Sequence, residues 1–241
     1  MSKDPYVYDD TNVLKNVANI KEQNKLDDYE STMVNLGIIK LLKSNIKINN
    51  TNDIFLIHKF LFENVYEWAG EKRVMNIYKT QPILNGLSVT YSDYKKIDFD
   101  LNEIQKDIDL TNWEQLSKNE MICKVVKIIS AIWQVHSFRE GNTRTSAMLL
   151  YFLIKKANLH VNIDFLSKNG KYFRNALALN SLYSNSKPEY ILGIVTDSVT
   201  LKNISSKKYE TIEGFEVNKY SYSNHTIEKI KTIEKPFDWH K

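Results

Sequence analysis

A short polar stretch at residues 135–145, V-H-S-F-R-E-G-N-T-R-T, carries side chains that could do chemistry together. His136 has an ordinary pKa of about 6.5, which suits it to take a proton from a hydroxyl group. Glu140, four residues later, offers the hard oxygen ligand that Mg²⁺ needs when it shares phosphate oxygens. Apolar runs lead into and out of the stretch, so we expect a loop between two core helices.

The second half of this stretch predicts an anion site. A helix starts at about Thr143, so the backbone N–H groups of residues 141–144 lack helical partners and carry the positive end of the helix dipole. Gly141 has no Cβ and would let the backbone approach a ligand closely. Arg144 adds a cation that can bind two oxygens at once. Together these features suit a polyphosphate.

Taken singly, these residues have ordinary structural explanations, because a histidine at a helix end is usually structural and Arg–Glu pairs are usually surface salt bridges. Their conjunction is less ordinary. The six fixed positions of H-x-F-x-[DE]-G-N-x-R match by chance in roughly one chain in 10⁵ of this length. We therefore interpret the stretch as functional.

The composition and patterning predict a mostly helical protein around this loop. The 241 residues include only 7 Gly and 4 Pro, and 42% are hydrophobic. Apolar residues at helical spacing predict helices at about 11–21, 29–42, 54–66, 94–108, 120–135, 143–156, 172–183 and 188–199. Residues 76–92 are the one predicted β segment, since Asn85-Gly86 between apolar residues signals a hairpin.

Charge and hydropathy argue against several classes of partner. The net charge is only +4 and the lysines are scattered among acids, so no nucleic-acid partner is expected. No apolar run approaches the roughly 18 residues needed to span a membrane. The start, M-S-K-D-P-Y, has no hydrophobic signal core, and a cytoplasmic location is expected. The single cysteine, Cys123, excludes an internal disulfide and is expected to be a buried thiol.

The loop resembles the signature of the Fic (filamentation induced by cAMP) family, usually H-P-F-x-[DE]-G-N-G-R-x-x-R. The matching residues are His136, Phe138, Glu140, Gly141, Asn142 and Arg144. The resemblance covers about residues 29–200, including the run L-F-E-N-V-Y-E-W-A-G-E-K-R at 61–73. It implies an all-α fold with a single β-hairpin flap. The implied parts are an N-terminal helical region at 1–50, a Fic core at 51–200 and a polar extension at 201–241.

Members of this family mostly transfer AMP from Mg·ATP to a Ser, Thr or Tyr hydroxyl of a protein. The resemblance therefore implies a protein adenylyltransferase with ATP as substrate, Mg²⁺ as cofactor and a protein target, with modification of itself as well. It also implies a homodimer, which Fic proteins often form. By resemblance His136 is the general base, Glu140 holds Mg²⁺ and Phe138 anchors the loop. The implied phosphate ligands are Gly141, Asn142, Thr143 and Arg144.

Two further sites are implied by the resemblance. The hairpin would be a flap that aligns a target segment by strand addition. Its candidate target-binding residues are Lys79, Thr80, Pro82 and Ile83. In a later helix, Tyr172, Phe173 and Asn180 resemble residues that line the family's adenine pocket, and packing of helix aromatics is an equally good explanation of the aromatic pair.

Three positions depart from the family's motif. Ser137 replaces the usual Pro, which affects only loop stiffness. Thr143 replaces the second Gly and adds a side chain near the α- and β-phosphates. Ala147 stands where the family has an Arg that holds the γ-phosphate.

A candidate inhibitory motif lies in the helix predicted at about 29–42. Many Fic proteins carry [ST]-x-x-x-E-[GN], whose Glu pairs with the second motif Arg. Ser31 begins a match, but Asn35 stands in place of the Glu. Because Asn35 carries no charge and Ala147 replaces its partner, the resemblance implies weak or absent inhibition. An ordinary helix cap is the alternative interpretation, and a rival S-x-x-x-E occurs at residues 206–210.

Other functions fit the same residues. Transfer of a different phosphate-linked group, or removal of AMP by hydrolysis, would use the same base and phosphate site. A weakly active nucleotide-binding or interaction module is favoured by the departures at Thr143 and Ala147.

Overall fold

The computed structural model describes residues 4–44, 46–182 and 186–200, and these ranges form a helical protein. Their helices are α1 (Gln23–Lys43), α2 (Asp53–Phe62), α3 (Ile97–Asp109), α4 (Lys118–Val135), α5 (Asn142–Lys156), α6 (Ile163–Lys168), α7 (Gly170–Asn180) and α8 (Pro188–Thr200). No sheet occurs in the described ranges, where a lone bridge joins Val7 to Leu14. The all-α prediction is confirmed. The polar extension and the rival motif at 206–210 lie outside the described residues.

Helix α4 is the centre of the core. It packs against α3, α5, α7 and α8, and its second half is buried on nearly every side. Its start is fixed by a capping box, in which Ser117 and Glu120 exchange side-chain and backbone hydrogen bonds. Trp133 near its end is 1% exposed. The candidate loop therefore leaves a rigid helix and enters α5, which packs beside α4.

Helices α1 and α2 touch at Gly37, where the two backbones come unusually close. A Cβ added to Gly37 would lie 2.3 Å from the carbonyl oxygen of Phe60 and 2.9 Å from the Cα of Leu61. Glycine in a helix interior is normally unfavourable, but here its missing side chain permits the contact. Gly37 therefore permits close packing of α1 on α2 and does not break α1.

His58 of α2 ties the helix to the candidate loop. Its Nδ1 accepts a hydrogen bond from the Gly70 N–H at 2.8 Å, so its Nε2 carries the proton and donates to the Glu140 carbonyl at 3.1 Å. The imidazole is fully buried and stacks on Phe138 with ring centroids 3.8 Å apart. Burial lowers the pKa of His58 to about 3, so the ring is neutral near pH 7.

The predicted hairpin is present as a chain reversal, without strands. Asn85 and Gly86 both have positive φ, and the Leu87 N–H donates to the Leu84 carbonyl, as a two-residue hairpin turn requires. The residues before it form a 3₁₀ turn, Pro82–Leu84, because proline favours such a turn and gives no N–H to a ladder. The Asn-Gly signal therefore identified the turn, but the β segment at 76–92 was wrong.

Other sequence-based boundaries need correction as well. The helix predicted at 11–21 is absent, since Asn16 uses its side chain to bind the backbone of Leu14 and Ile20 locally. Helix α1 begins at Gln23, so Ser31 lies within it and does not cap it. The short helix α6 was not predicted.

Cys123 is exposed, contrary to the expected burial. At 100° per residue, the buried positions Ile122, Val125 and Val126 define one face of α4, and Cys123 lies outside it with Lys127. Within the ranges described here, no helix has both the length and the apolar character to cross a membrane.

We predict that Gly37→Ala destabilises the protein by about 1–3 kcal/mol, because the new Cβ overlaps the backbone of α2. Urea unfolding would measure the change. Gly193→Ala is the matched control, since a Cβ in that part of α8 meets nothing within 4 Å. Ala is the better helix former there, so the control should gain up to about 1 kcal/mol. A Gly37→Ala protein as stable as the wild type would contradict the close packing of α1 on α2.

A second prediction concerns the dependence of stability on pH. The pKa of His58 is lower in the folded protein than its ordinary value, so the unfolded chain takes up the proton first. The contribution of neutral His58 to the free energy of unfolding is complete above a pH of about 6.5. It is lost as the pH falls toward 3, and about 2 kcal/mol is lost at pH 5. Unfolding measured between pH 7 and pH 5 should therefore show a steeper decline for the wild type than for His58→Gln. Equal slopes would contradict the buried neutral imidazole.

Candidate active site

The loop between α4 and α5 is shaped by two residues with left-handed backbone. His136 ends α4 at φ 53°, and Gly141 precedes α5 at φ 84°. Asn142, the first residue of α5, closes the loop: its Oδ1 accepts from the Phe138 N–H at 3.0 Å, and its Nδ2 donates to the Phe138 carbonyl at 2.7 Å. The side chain of Asn142, predicted as a phosphate ligand, is therefore used within the loop. Its backbone N–H remains in the first turn of α5.

The floor of the loop is aromatic. Phe138 is 1% exposed and contacts both His58 and Phe55, with the Phe55 ring edge-on at 5.4 Å. The ring of Phe62 sits under Gly141, where an added Cβ would come within 2.4 Å of it. Glycine was predicted here for the approach of a ligand, and the structure shows a second reason, which is the approach of this ring.

Arg73 is buried and forms hydrogen bonds to the start of the loop. It is 1% exposed, and its guanidinium donates to the backbone carbonyls of His136, Met75 and Ser92. The Arg73 N–H also donates to the Ser137 carbonyl at 2.8 Å. Burial lowers the pKa of Arg73 to about 10, which still leaves it charged at neutral pH. The sequence offered only its place in the run at 61–73 as a signal for this role.

His136 is oriented as a proton acceptor. Its Nδ1 lies 3.0 Å from the Trp133 carbonyl oxygen, which can only accept, so Nδ1 carries the proton and Nε2 keeps its lone pair. The Tyr91 ring stacks on the imidazole at 3.9 Å, and the imidazole is 3% exposed. Burial, and then the nearby Lys79 ammonium, hold the pKa of His136 well below its ordinary value. The ring is therefore neutral at pH 7.

Glu140 faces cations on both sides. Its Oε2 lies 2.7 Å from the Lys79 ammonium, and its Oε1 lies 3.8 Å from the Arg144 guanidinium. Loss of solvent around the carboxylate would raise the pKa of Glu140, but Lys79, Arg144 and the Gly141 N–H together keep it well below its usual range. The carboxylate is therefore ionised at any physiological pH.

The residues around Glu140 fit a magnesium ion shared with a nucleotide. Among the described residues, no group of three or more His, Cys, Asp or Glu could hold a metal by itself. Mg²⁺ nevertheless needs only one or two carboxylates when phosphates and water complete its shell. The Lys79 ammonium already stands as a cation on Oε2, which shows that this oxygen is presented to positive charge.

The first turn of α5 provides backbone donors next to this carboxylate. The Thr145 N–H makes the first helical hydrogen bond, to Gly141, so the N–H groups of residues 142–144 precede the helical ladder. The Thr143 hydroxyl accepts from the Trp133 indole N–H at 2.9 Å. The side chain that replaces the motif's second Gly is thus tied to α4.

Arg144 is held by a residue that the sequence motifs do not identify. Its Nη1 lies 2.6 Å from Oε1 of Glu30 in α1, and its guanidinium lies over the Phe62 ring at 4.8 Å. The Tyr66 hydroxyl donates to the other carboxylate oxygen of Glu30. Glu30 directly precedes Ser31, and a carboxylate at helical spacing from the core positions Leu26 and Val34 was the available signal.

The predicted flap residues differ in their contacts and in their exposure. Lys79 contacts Glu140, as described above. Thr80 and Pro82 are exposed, and Ile83 is half-buried. Tyr91, on the returning segment, accepts a hydrogen bond from Gln81 at 3.2 Å and covers His136.

The candidate adenine-pocket residues lie on α7, which packs against the turn at Pro82–Leu84. Phe173 is 1% exposed and belongs to the core. Tyr172 faces α8, where burial and then Tyr190 raise its pKa to about 12. Asn180, at the end of α7, accepts hydrogen bonds from the Ser186 hydroxyl through its carbonyl and its Oδ1.

The candidate inhibitory-motif residues do not lie in the core-facing part of α1. Ser31 and Asn35 are both on its exposed face. Ala147 is half-buried one turn after Arg144 and packs against the core.

Comparison with known proteins places these features in a family. Residues 48–154 match the Fic/DOC family. The chain is 27% identical over 187 residues to the protein adenylyltransferase VbhT of Bartonella schoenbuchensis, an alignment that covers 77% of this chain and 37% of VbhT. It is 29% identical over 164 residues to the probable protein adenylyltransferase y4lH of Sinorhizobium fredii, covering 66% of this chain and 80% of that protein. The chain thus spans about a third of the length of VbhT and most of y4lH.

Solved structures show the same fold. The N-terminal FIC domain of Bep8 from Bartonella sp. 1-1C superposes with a TM-score of 0.69 at 22% identity, over 83% of this chain and 96% of that one. BepC from Bartonella tribocorum, solved with bound AMPPNP, has a TM-score of 0.63 at 23% identity, over 79% of this chain and 95% of that one. These matches agree with the helical core. The chain therefore carries a Fic/DOC family domain at residues 48–154.

Proposed function

We propose that this protein is a nucleotidyltransferase that moves AMP from Mg·ATP to the hydroxyl of a protein side chain. The observation that carries the proposal is the orientation of His136, whose Nδ1–H is given to the Trp133 carbonyl so that Nε2 can accept a proton. Glu140 and the first turn of α5 lie in the same loop. The names of VbhT and y4lH as adenylyltransferases support the same class of reaction.

In the proposed reaction the hydroxyl oxygen attacks the α-phosphorus of ATP, and the bond from that phosphorus to the bridging oxygen of pyrophosphate breaks. His136 Nε2 takes the hydroxyl proton as the new P–O bond forms. Its lowered pKa keeps the imidazole neutral, and therefore able to accept, across the physiological range. The Tyr91 ring shields the imidazole from bulk water.

The phosphates would be bound by this chain's charges and backbone donors. The N–H groups of residues 142–144 point out of the start of α5, where the helix dipole favours an anion. Arg144 adds a guanidinium on one side of Glu140, and Lys79 adds an ammonium on the other. Glu140 would hold Mg²⁺, which supplies neutralisation of the phosphate charge when bound.

The target would approach over the segment at 79–91. Thr80 and Pro82 are exposed there, and Lys79 faces the site. A target segment could pair with the backbone on either side of the turn, where the Tyr91 ring covers His136. The adenine would lie near α7, with Tyr172, Phe173 and Asn180 as candidate neighbours. With no other target supplied, the protein itself is the expected acceptor.

Inhibition through Asn35 is proposed to be weak or absent. Asn35 is exposed and uncharged, and Ala147 offers no cation to pair with a carboxylate at position 35. Because Ala147 replaces the arginine that holds the γ-phosphate in the family, this chain would bind ATP mainly through its α- and β-phosphates.

Purified protein incubated with Mg²⁺ and α-labelled ATP should become labelled and gain the mass of one AMP. Label from γ-labelled ATP should be absent, because the γ-phosphate leaves in pyrophosphate. His136→Ala should lower labelling by about 10²-fold or more, since a positioned base contributes this much. Mass spectrometry and autoradiography measure both outcomes.

Two further variants serve as controls for this test. His136→Asn retains a residue that tolerates left-handed backbone, so it should fold even where alanine does not, and it should also be inactive. His160→Ala changes an exposed histidine and should label as the wild type does. Label from γ-labelled ATP alone would indicate a kinase, and ATP binding without transfer to any acceptor would support the nucleotide-binding module.

We also predict that Asn35→Glu changes ATP affinity and labelling only slightly, because the new carboxylate would be on an exposed face of α1 and would lack a charge partner at Ala147. Calorimetric titration with ATP measures the affinity. A decrease of about tenfold, or 1.4 kcal/mol, would show that another cation replaces the missing arginine.

A further inference from the structure

The ion pair between Glu30 and Arg144 joins the phosphate site to a helix outside the family match. Glu30 lies in α1, and the match begins at residue 48. The Oε1–Nη1 distance is 2.6 Å, and the Glu30 side chain is 15% exposed while that of Arg144 is 36% exposed. A carboxylate this enclosed needs a partner, so the pair differs from an ordinary surface salt bridge.

The Glu30 carboxylate also has a hydrogen-bond partner in the core. Its second oxygen accepts from the Tyr66 hydroxyl, and Tyr66 is 2% exposed. The Tyr66 ring stacks on Trp68 at 4.3 Å and on Phe62 at 6.0 Å, so the hydroxyl has a fixed place in the core. The chain of contacts therefore runs from the core through the carboxylate to the guanidinium.

The guanidinium is fixed from three directions as a result. Glu30 meets Nη1, Glu140 lies 3.8 Å from Nη2, and the Phe62 ring lies beneath Cζ at 4.8 Å. An arginine on four rotatable bonds loses considerable entropy when it binds a ligand, and prior fixation removes part of that cost. Because a guanidinium has five N–H donors, an ion pair through Nη1 leaves capacity for phosphate oxygens.

From these contacts we infer that Glu30 is a positioning residue for Arg144 and sets the affinity for nucleotide phosphates beyond the α-phosphate; this inference rests on the proposed function. Arg144 is assigned to the later phosphates because the two oxygens of Glu140 face different cations. Lys79 lies at Oε2, and its charge also acts on His136, where the α-phosphorus would react; Arg144 lies at Oε1. A cation on the far side is placed for the phosphates that follow.

The opposite role would be competition, in which the Glu30 carboxylate occupies Arg144 and weakens nucleotide binding. The two roles predict changes of opposite sign. If Glu30 positions the arginine, its removal lowers affinity for ADP. If it competes, its removal leaves a free cation and raises that affinity. AMP, which lacks the second phosphate, should not respond in the first case.

Calorimetric titration of the whole chain with ADP and with AMP, both in the presence of Mg²⁺, tests the inference. We expect Glu30→Ala to weaken ADP binding by about tenfold and to leave AMP binding unchanged. Glu30→Gln can still accept from Arg144 and reach Tyr66, so it should bind ADP within about threefold of the wild type. Tyr66→Phe keeps the ring stack and removes the hydroxyl, and should lose part of the ADP affinity.

Asp28→Ala is the matched control, because it removes one negative charge from the exposed side of the same helix and should change neither affinity. The inference is overturned if Glu30→Ala leaves ADP binding unchanged, tightens it, or weakens ADP and AMP equally, and also if Glu30→Gln fails to recover ADP binding. A wild-type protein that binds neither nucleotide would instead contradict the proposed function.

Discussion

The shape of the α4–α5 loop depends on the stacking of Phe138 against the neutral ring of His58. That contact places the middle of the loop on α2, and the same imidazole holds the Glu140 carbonyl and the Gly70 N–H. Arg73 fixes the start of the loop and Asn142 closes it. Polar groups in the interior thus satisfy one another, and contacts within the chain itself hold His136 and Glu140 in place.

Charges of alternating sign run across the site. The order is Lys79, Glu140, Arg144 and Glu30, with Tyr66 at the end. Each charge has a neighbour of opposite sign, which lets partly enclosed ions be tolerated. A polyphosphate with its metal could exchange with members of this row, since it offers both anionic oxygens and a cation. The proposed effect of Glu30 on phosphate affinity would act through this row of charges.

Helical periodicity predicted the core helices well, because burial alone decides their faces. The boundaries of α4 and α5 were close, and so was the turn at Asn85. Features that depend on contacts between distant segments could not be predicted in the same way. Glu30 and Arg73 are ordinary charged residues in sequence, and only the packing of α1 and of the 61–73 run gives them partners. Side-chain competition by Asn16 removed a helix that spacing alone favoured.

The salt bridges of the loop extend beyond the residues that define the family. Arg139 pairs with Asp4 through two of its nitrogens, at 3.0 and 2.9 Å, and Arg144 pairs with Glu30. Both acids precede residue 48, where the family match begins. A fragment cut at the boundaries of the match would therefore keep every motif residue and lose the partners of two arginines. The segment that identifies the family is therefore shorter than the segment that neutralises the charges of its loop.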